Sequence, residues 1–366
     1  MPTWQPVPGM NQHAPASGVE VLGRIGPDGP GLLLLYTGGT IGMAHGPDGA
    51  LVQIDLRELA AHMPFVHRLP IGLTVATFTT PMDSSVMAPG DWLAIADTLV
   101  EHAPGHVGVV VLHGTDTMAY TASALSFLLE GIEVPIVLTG AQRPVTELRS
   151  DGRENLVAAM AIAGGHHLRE ATLVPEVTIF FDDVLLRGNR ASKVHADSYR
   201  GFASPNLAPL ATAGTVIGFA DELIRPPGVG PLRRTGGVSS DVASLRLHPA
   251  LDERTVRAVV DQPGLRGLVL EAYGAGNGQT EGWFLDPLRA AVERGVVVVV
   301  TTQCRAGSVH GGLYATGAAL LSTGAIPGGD MTFEAALTKL IVLADRLDPH
   351  ELRARMLDDL AGELST

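Results

Sequence analysis

Short, almost continuous apolar runs recur along this chain, each followed by a small polar loop and then a helical pattern, and that alternation leaves few folds open. A strand that is apolar at every position has no face to offer water. Such strands belong to a mostly parallel sheet covered by helices on both faces. The runs fall at residues 32–36, 107–112, 134–138 and 177–181, and again at 268–270 and 296–300. Helical patterns lie between them at 91–101, 117–130, 154–163 and 287–294, and Gly131, Gly164 and Gly295 stand just past the last three, where a glycine closes a helix.

A chain of 366 residues exceeds the usual size of one hydrophobic core, which predicts two α/β domains. The stretch 224–237 carries Pro226, Pro227 and Pro231 among glycines and arginines with little periodicity, and it reads as a linker. On this division a larger N-terminal domain with a mostly parallel sheet spans 31–223, and a smaller parallel-sheet domain spans 238–366. Residues 1–30, rich in Pro and Gly, read as a flexible tail without the basic and apolar regions of a signal peptide.

Composition narrows the ligands. With 46% hydrophobic and 17% charged residues the chain can build a sizeable core, and its formal net charge of -13 repels phosphate backbones and anionic lipid. Neither nucleic acid nor a membrane is an expected partner, and no apolar run is long enough to cross a bilayer. Cys304 is the only cysteine, so no intrachain disulfide forms, which fits a reducing, cytoplasmic setting. The 13 histidines make no ligand-spaced cluster with Cys, Asp or Glu, so neither metal nor cofactor is expected.

In open α/β sheets ligands bind beyond the carboxyl ends of the strands, which singles out the loops after the first runs. The first reads Thr37-Gly38-Gly39-Thr40-Ile41-Gly42. Paired glycines permit positive φ and close backbone approach, exposing amides that can hold an oxyanion beside two hydroxyls. A plain tight turn fits the same residues, and so does a nucleotide loop, although the G-x-G-x-x-G spacing and the lysine of a P-loop are missing. The second loop reads His113-Gly114-Thr115-Asp116-Thr117-Met118. Thr117 and Asp116 suit a helix start, and a hydroxyl beside a carboxylate also suits a hydrolase.

Together with Pro81-Met82-Asp83-Ser84-Ser85, Leu148-Arg149-Ser150-Asp151-Gly152, Arg187-Gly188-Asn189-Arg190, Ser204-Pro205-Asn206-Leu207, Tyr273-Gly274-Ala275-Gly276-Asn277 and Gly329-Asp330-Met331-Thr332, these loops occur in the order of the bacterial-type L-asparaginase family. The chain resembles that family, and within it the type I, cytoplasmic branch. The resemblance implies a threonine-bound acyl-enzyme: Thr40 is the nucleophile, and Thr115, Asp116 and Lys193 form a second threonine-centred triad. It also implies that Gly39, Asp83, Ser84 and Ser85, with Thr115 and Asp116, bind the substrate L-asparagine. The residue types suit those roles, because hydroxyls and amides accept a carboxylate and an ionised aspartate accepts an ammonium. For Lys193 a solvated lysine is the competing reading, and for Asp83 to Ser85 a cap on the helix at 91–101.

Three departures from the family pattern matter. The tyrosine that many relatives carry on the loop after the nucleophile has no counterpart in Gly49-Ala50-Leu51-Val52. Tyr314, in Tyr314-Ala315-Thr316-Gly317, is the substitute, or else a packing residue. No acid occurs at Ser308-Val309, where relatives that also accept glutamine have a glutamate, so asparagine preference with low glutaminase activity is expected. Thr302 and Cys304 match an effector site of some relatives, but Glu271 stands where those have arginine, and an acid there repels an effector's carboxylate. Relatives of this kind assemble as homodimers or homotetramers. Two rival readings stay open: an ammonia-supplying amidotransferase subunit, and a catalytically silent asparagine-binding protein.

Overall fold

The computed structural model describes residues 5, 18–46, 51–53, 68–168, 172–310 and 315–365. It divides into two compact units, the first running to Ser204 and through Ala208–Arg234, the second comprising Pro205–Leu207 and the chain from Thr235 onward. Both are α/β.

The first unit is built on nine strands: β1 (Val19–Ile25), β2 (Gly31–Tyr36), β3 (Gly72–Phe78), β4 (Gly108–Leu112), β5 (Ile136–Thr139), β6 (Val177–Phe181), β7 (Val184–Arg187), β8 (Ala211–Ala213) and β9 (Ile217–Phe219). They lie in the order β1-β3-β2-β4-β5-β6-β7-β8-β9. The five inner strands, β3 to β6 with β2 among them, are all parallel. The outer pairs are antiparallel. Every residue of β2, β4 and β5 is buried, which is why these segments are apolar without alternation. Each fully buried Leu or Val adds roughly 1.5–3 kcal/mol over its exposed state. Helices α1 (Pro89–His102), α2 (Met118–Leu128) and α3 (Gly152–Gly164) connect the parallel strands.

The segment read as a tail contains β1. Its burial alternates along Val19, Val21, Gly23 and Ile25, a half-covered edge strand paired antiparallel to β3 with an irregularity between Val21 and Gly23. A period of two was present in the sequence, but the surrounding Pro and Gly masked it. Helix α2 stops at Leu128, not Glu130; Leu129 and Glu130 pair with Arg233 and Arg234, and Gly131 follows at φ +74°. The chain from 224 to 234 is thus fastened to the first unit, with Gly228 N–H also bonded to Ile132 O.

In the second unit β10 (Val242–Arg246), β11 (Gly267–Ala272), β12 (Val297–Thr302) and β13 (Ile326–Pro327) form a wholly parallel sheet. Alternate residues go to opposite faces. Leu268, Leu270, Val298 and Val300 pack with Val256 and Val260 of α4 (Glu253–Val260) and with Phe284 and Leu288 of α5 (Gly282–Glu293). Val269, Val297 and Val299 pack with Leu340 and Leu343 and with Leu352 and Met356 on the other face. After α6 (Ala315–Leu321), these come from α7 (Phe333–Ala344) and α8 (Pro349–Leu357). Helix α5 begins at Gly282 and contains Pro287, which the sequence reading had placed at its start. Among the described residues no helix is long and apolar enough to cross a membrane.

Candidate active site

Strand order alone locates the site. From β2 the chain adds β3 on one side and then crosses to add β4 on the other, so the loops after β2 and β4 diverge at the point where the winding reverses. Those loops are 37–42 and 113–117. Thr37 ties them at the root, its N–H and its hydroxyl both donating to Leu112 O at 3.0 and 2.9 Å. Gly38 and Gly39 then take φ of +141° and +102°, where a side chain is strained. A Cβ on Gly39 would sit 2.6 Å from the Gly114 backbone, so the two loops meet glycine against glycine. Thr40 opens a single 3-10 turn, Thr40–Gly42, and its hydroxyl has no hydrogen-bond partner among the described residues.

The second loop gathers three predicted residues. Lys193, paired with Phe202 in a two-stranded ribbon, donates to Thr115 Oγ1 at 2.9 Å and to Asp116 Oδ1 at 2.8 Å. Thr115 is buried and the Lys193 side chain is only 18% exposed, whereas Asp116 is 59% exposed and keeps carboxylate surface for a ligand. The sequence reading missed a fourth member, Gln142. Thr115 donates to Gln142 Oε1 over a long 3.4 Å, and Gln142 Nε2 donates to Ser198 O at 2.9 Å. The backbone of Gln142 is held by Asp151, whose carboxylate accepts the N–H groups of Gln142 and Arg143. Burial pushes the Asp151 carboxyl up, against those hydrogen bonds. Gln142 lies just past the end of β5, where the strand-end rule that selected the other loops would have found it.

The third loop follows β3. Asp83 caps the short turn Ser84–Val86, with its Oδ1 accepting both the N–H and the hydroxyl of Ser85 at 2.9 and 2.8 Å. Those bonds, the backbone one foremost, hold the Asp83 carboxyl below its ordinary range. The loop therefore does not cap α1, which begins at Pro89 and has Asp91 reach back to the Ala88 N–H at 2.7 Å. Ser84 is buried against Gly114, whose Cβ would fall 2.3 Å from Ser84 Oγ, and that hydroxyl has no hydrogen-bond partner among the described residues. Thr117 donates to Ser84 O at 2.8 Å, joining this loop to the second.

Three loops thus converge on Gly114, with Thr40, Ser84 and the Lys193–Thr115–Asp116 cluster around it. Hydroxyls without partners among the described residues and an open carboxylate suit a small zwitterion, and a hydroxyl bonded to an amine suits proton transfer. Tyr314, Gly49 and Ala50 lie outside the described residues. In the second unit Glu271, next to last in β11, is in register with Arg246, whose guanidinium is 3.4 Å away. Burial raises the Glu271 carboxyl and Arg246 opposes that rise. Cys304 is exposed, its N–H donating to Thr302 Oγ1 at 3.0 Å.

Residues 31–225 match the asparaginase N-terminal family and residues 241–356 the glutaminase/asparaginase C-terminal domain. L-asparaginase 1 of Escherichia coli (strain K12) is 43% identical over 337 residues, covering 91% of this chain and 98% of that protein. The 60 kDa lysophospholipase of Homo sapiens is 42% identical over 360 residues, covering 91% of this chain and 61% of that protein. Among solved structures, L-asparaginase I from Vibrio cholerae O1 biovar eltor str. N16961 superposes with a TM-score of 0.83 at 39% identity, covering 92% of this chain and 100% of that one. Two sheets of this order, three loops meeting at one glycine and a match through both domains make the chain a member of the asparaginase family.

Proposed function

We propose that the protein hydrolyses L-asparagine to L-aspartate and ammonia through a β-aspartyl ester on Thr40. The observation that carries this reading is Lys193 Nζ bonded at once to Thr115 Oγ1 and Asp116 Oδ1, on the loop whose Gly114 packs against Gly39 beside Thr40. Thr40 Oγ1 attacks the side-chain amide carbon, the carbonyl oxygen takes up charge against nearby backbone amides, the C–N bond breaks, and the nitrogen leaves as ammonia carrying the proton that the Thr40 hydroxyl gave up. Water then cleaves the ester. Lys193 and Thr115 form the path along which protons move during the two halves.

Asp116 binds the α-ammonium on its exposed side. Ser84 and Ser85 receive the α-carboxylate, with Asp83 fixing Ser85 from behind. Tyr314 assists Thr40, Gly39 gives the backbone room to approach, and the N-terminal domain 31–223 carries the chemistry. A side chain one methylene longer fits less well, and low glutaminase activity follows. The relatives' names support the substrate. The enzyme works in the cytoplasm as a homodimer or homotetramer.

The test is ammonia release from asparagine and from glutamine by the wild type and by Thr40→Ala, with folding checked by circular dichroism. Thr40→Ala should lose about three or more orders of magnitude in kcat, the loss expected when an acyl-enzyme nucleophile is removed. Wild-type turnover in a folded Thr40→Ala protein ends the ester mechanism, and asparagine binding without any ammonia release by the wild type would replace the enzyme with a binding protein.

A further inference from the structure

Past the turn that carries Thr40 the chain continues as a short strand, Met43–His45, paired antiparallel to Leu51–Gln53. Residues 145–147, on the loop that follows Gln142, run beside it and touch it at every second residue. Val145 N–H donates to Ile41 O and the Thr146 hydroxyl to Met43 O, both over a long 3.4 Å, and His45 Nε2 lies 3.2 Å from Glu147 Oε1. A carboxylate only accepts, so Nε2 donates whether the ring is charged or neutral. Neither His45 nor Glu147 has a part in the chemistry proposed for Thr40.

The second oxygen of Glu147 leads back along its own loop. Arg143 Nε donates to Oε2 at 2.6 Å. The Arg143 N–H shares the Asp151 carboxylate with the N–H of Gln142, and Gln142 Oε1 accepts from Thr115. One carboxylate therefore closes a path from the strand after Thr40 to the hydroxyl that Lys193 meets. The rest of this join is apolar: Ile41 and Val145 are fully buried, and a Cβ on Gly152 would meet Ile41 Cγ1 at 3.0 Å. Apolar contact is non-directional and tolerates sliding, whereas a hydrogen bond weakens steeply with distance and angle and so fixes the register.

We propose that Glu147 is a positioning residue: by holding His45 it fixes the strand that follows Thr40 against the loop that holds Thr115, and so sets the approach of the Thr40 hydroxyl to the amide carbon of the substrate. The inference rests on the asparaginase reading and adds to it a pair of side chains that act through the backbone. Ser84, Ser85 and Asp116, which receive the charged ends of the substrate in that reading, lie on other loops, so loosening this join changes the chemical step and not binding. The effect is modest, because the side chains of His45 and Glu147 are 56% and 19% exposed.

The experiment measures kcat and KM for asparagine in the wild type, His45→Ala, His45→Gln, Glu147→Ala and the double alanine variant. Each single alanine variant should lose about fivefold in kcat with KM within about twofold, the split expected when a reacting group is misplaced and binding is spared. His45→Gln, whose amide nitrogen reaches about as far as Nε2, should stay within about twofold of the wild type. The double alanine variant should also lose only about fivefold, since the two changes remove one contact. Losses that multiply to about twenty-five-fold, wild-type kcat in either alanine variant, a change confined to KM, or a His45→Gln as slow as His45→Ala overturns the inference. If Glu147→Ala does not fold, the two variants of the exposed His45 decide alone. A wild type that releases no ammonia from asparagine overturns the asparaginase reading and this inference with it, whereas an active wild type with indifferent variants overturns only the inference.

Discussion

Two lysines in this protein make ion pairs of nearly the same length in opposite surroundings. Lys193 meets Asp116 at 2.8 Å and Lys339 meets Glu363 at 2.6 Å. Lys339 and Glu363 are fully enclosed. Its three ammonium donors have three partners, Glu363, Met356 O and Asp358 O, and Glu363 in turn accepts the N–H groups of Leu360 and Ala361. The pair knots the last residues to α7. Lys193 has two partners among the described residues, one of them a hydroxyl, and faces an aspartate that is 59% exposed. The distance between charges is therefore uninformative. What separates a site from a staple is whether the polar capacity around the pair is used up.

The strongest way to break this comparison is to remove each ammonium in turn. Lys193→Met should cost about three orders of magnitude in kcat, within the range for deleting a member of a catalytic group, and change unfolding free energy by about 1 kcal/mol or less because the pair is open to solvent. Lys339→Met should do the reverse. It takes the ammonium away from the enclosed Glu363 carboxylate, a loss of about 3–5 kcal/mol by urea denaturation, while activity per folded molecule stays at the wild-type value. Adding Glu363→Gln should return part of that stability, since the enclosed negative charge is gone. If Lys339→Met folds normally but loses kcat, or Lys193→Met unfolds with activity intact per folded molecule, the distinction fails.

Neither lysine could be sorted from sequence. Lys339 sits in an apolar helix with nothing nearby to announce Glu363, because the partner is supplied by the chain end folding back. Lys193 was reached only through the family resemblance, since its ribbon brings it to Thr115 across a long sequence separation. The buried parallel strands were legible because burial on both faces forces an apolar residue at every position. Strand β1 was not, since Pro and Gly around it outweighed its alternation, and α5 was cut short because Pro287 looked like a first-turn residue. Gln142 carried no motif of its own. Whether Thr40 and Tyr314 share a pocket is likewise beyond what spacing tells.

His113 is a buried group with its polar capacity used up, Nδ1 lying 2.6 Å from Gly114 O and Nε2 3.0 Å from Thr121 Oγ1 on α2. Its folded pKa lies below the ordinary value, so between pH 6.5 and about 4 the unfolded chain binds the proton that the folded one refuses. The stability it contributes is complete above about pH 6.5 and is lost as pH falls through that window, roughly 2 kcal/mol by pH 5. His113→Gln has no such proton to lose. The difference in unfolding free energy between pH 7.5 and pH 5 should accordingly be smaller in His113→Gln by about that amount. An identical pH dependence in the two proteins would mean that the ring is not held neutral.

The smallest expected effect concerns Tyr36, which has polar capacity left over yet belongs, on this reading, to packing. It ends β2 directly before the Thr37 loop, is 1% exposed, and its hydroxyl has no partner among the described residues. Burial alone pushes the phenol far above its usual range, so at neutral pH it keeps its proton. It supports the turn that carries Thr40 by contact, since a Cβ on Gly42 would fall 2.1 Å from the Tyr36 oxygen and 2.6 Å from Cζ. Removing an unpaired buried hydroxyl relieves a desolvation cost, so Tyr36→Phe should raise unfolding free energy by about 1 kcal/mol with kcat and KM unchanged. Gly42→Ala should be destabilised by the clash, and Tyr36→Phe should relieve only part of it because Cζ remains. A fall in kcat for Tyr36→Phe would move this hydroxyl into the site, and unused polar capacity near the loops would then mark function wherever it occurs.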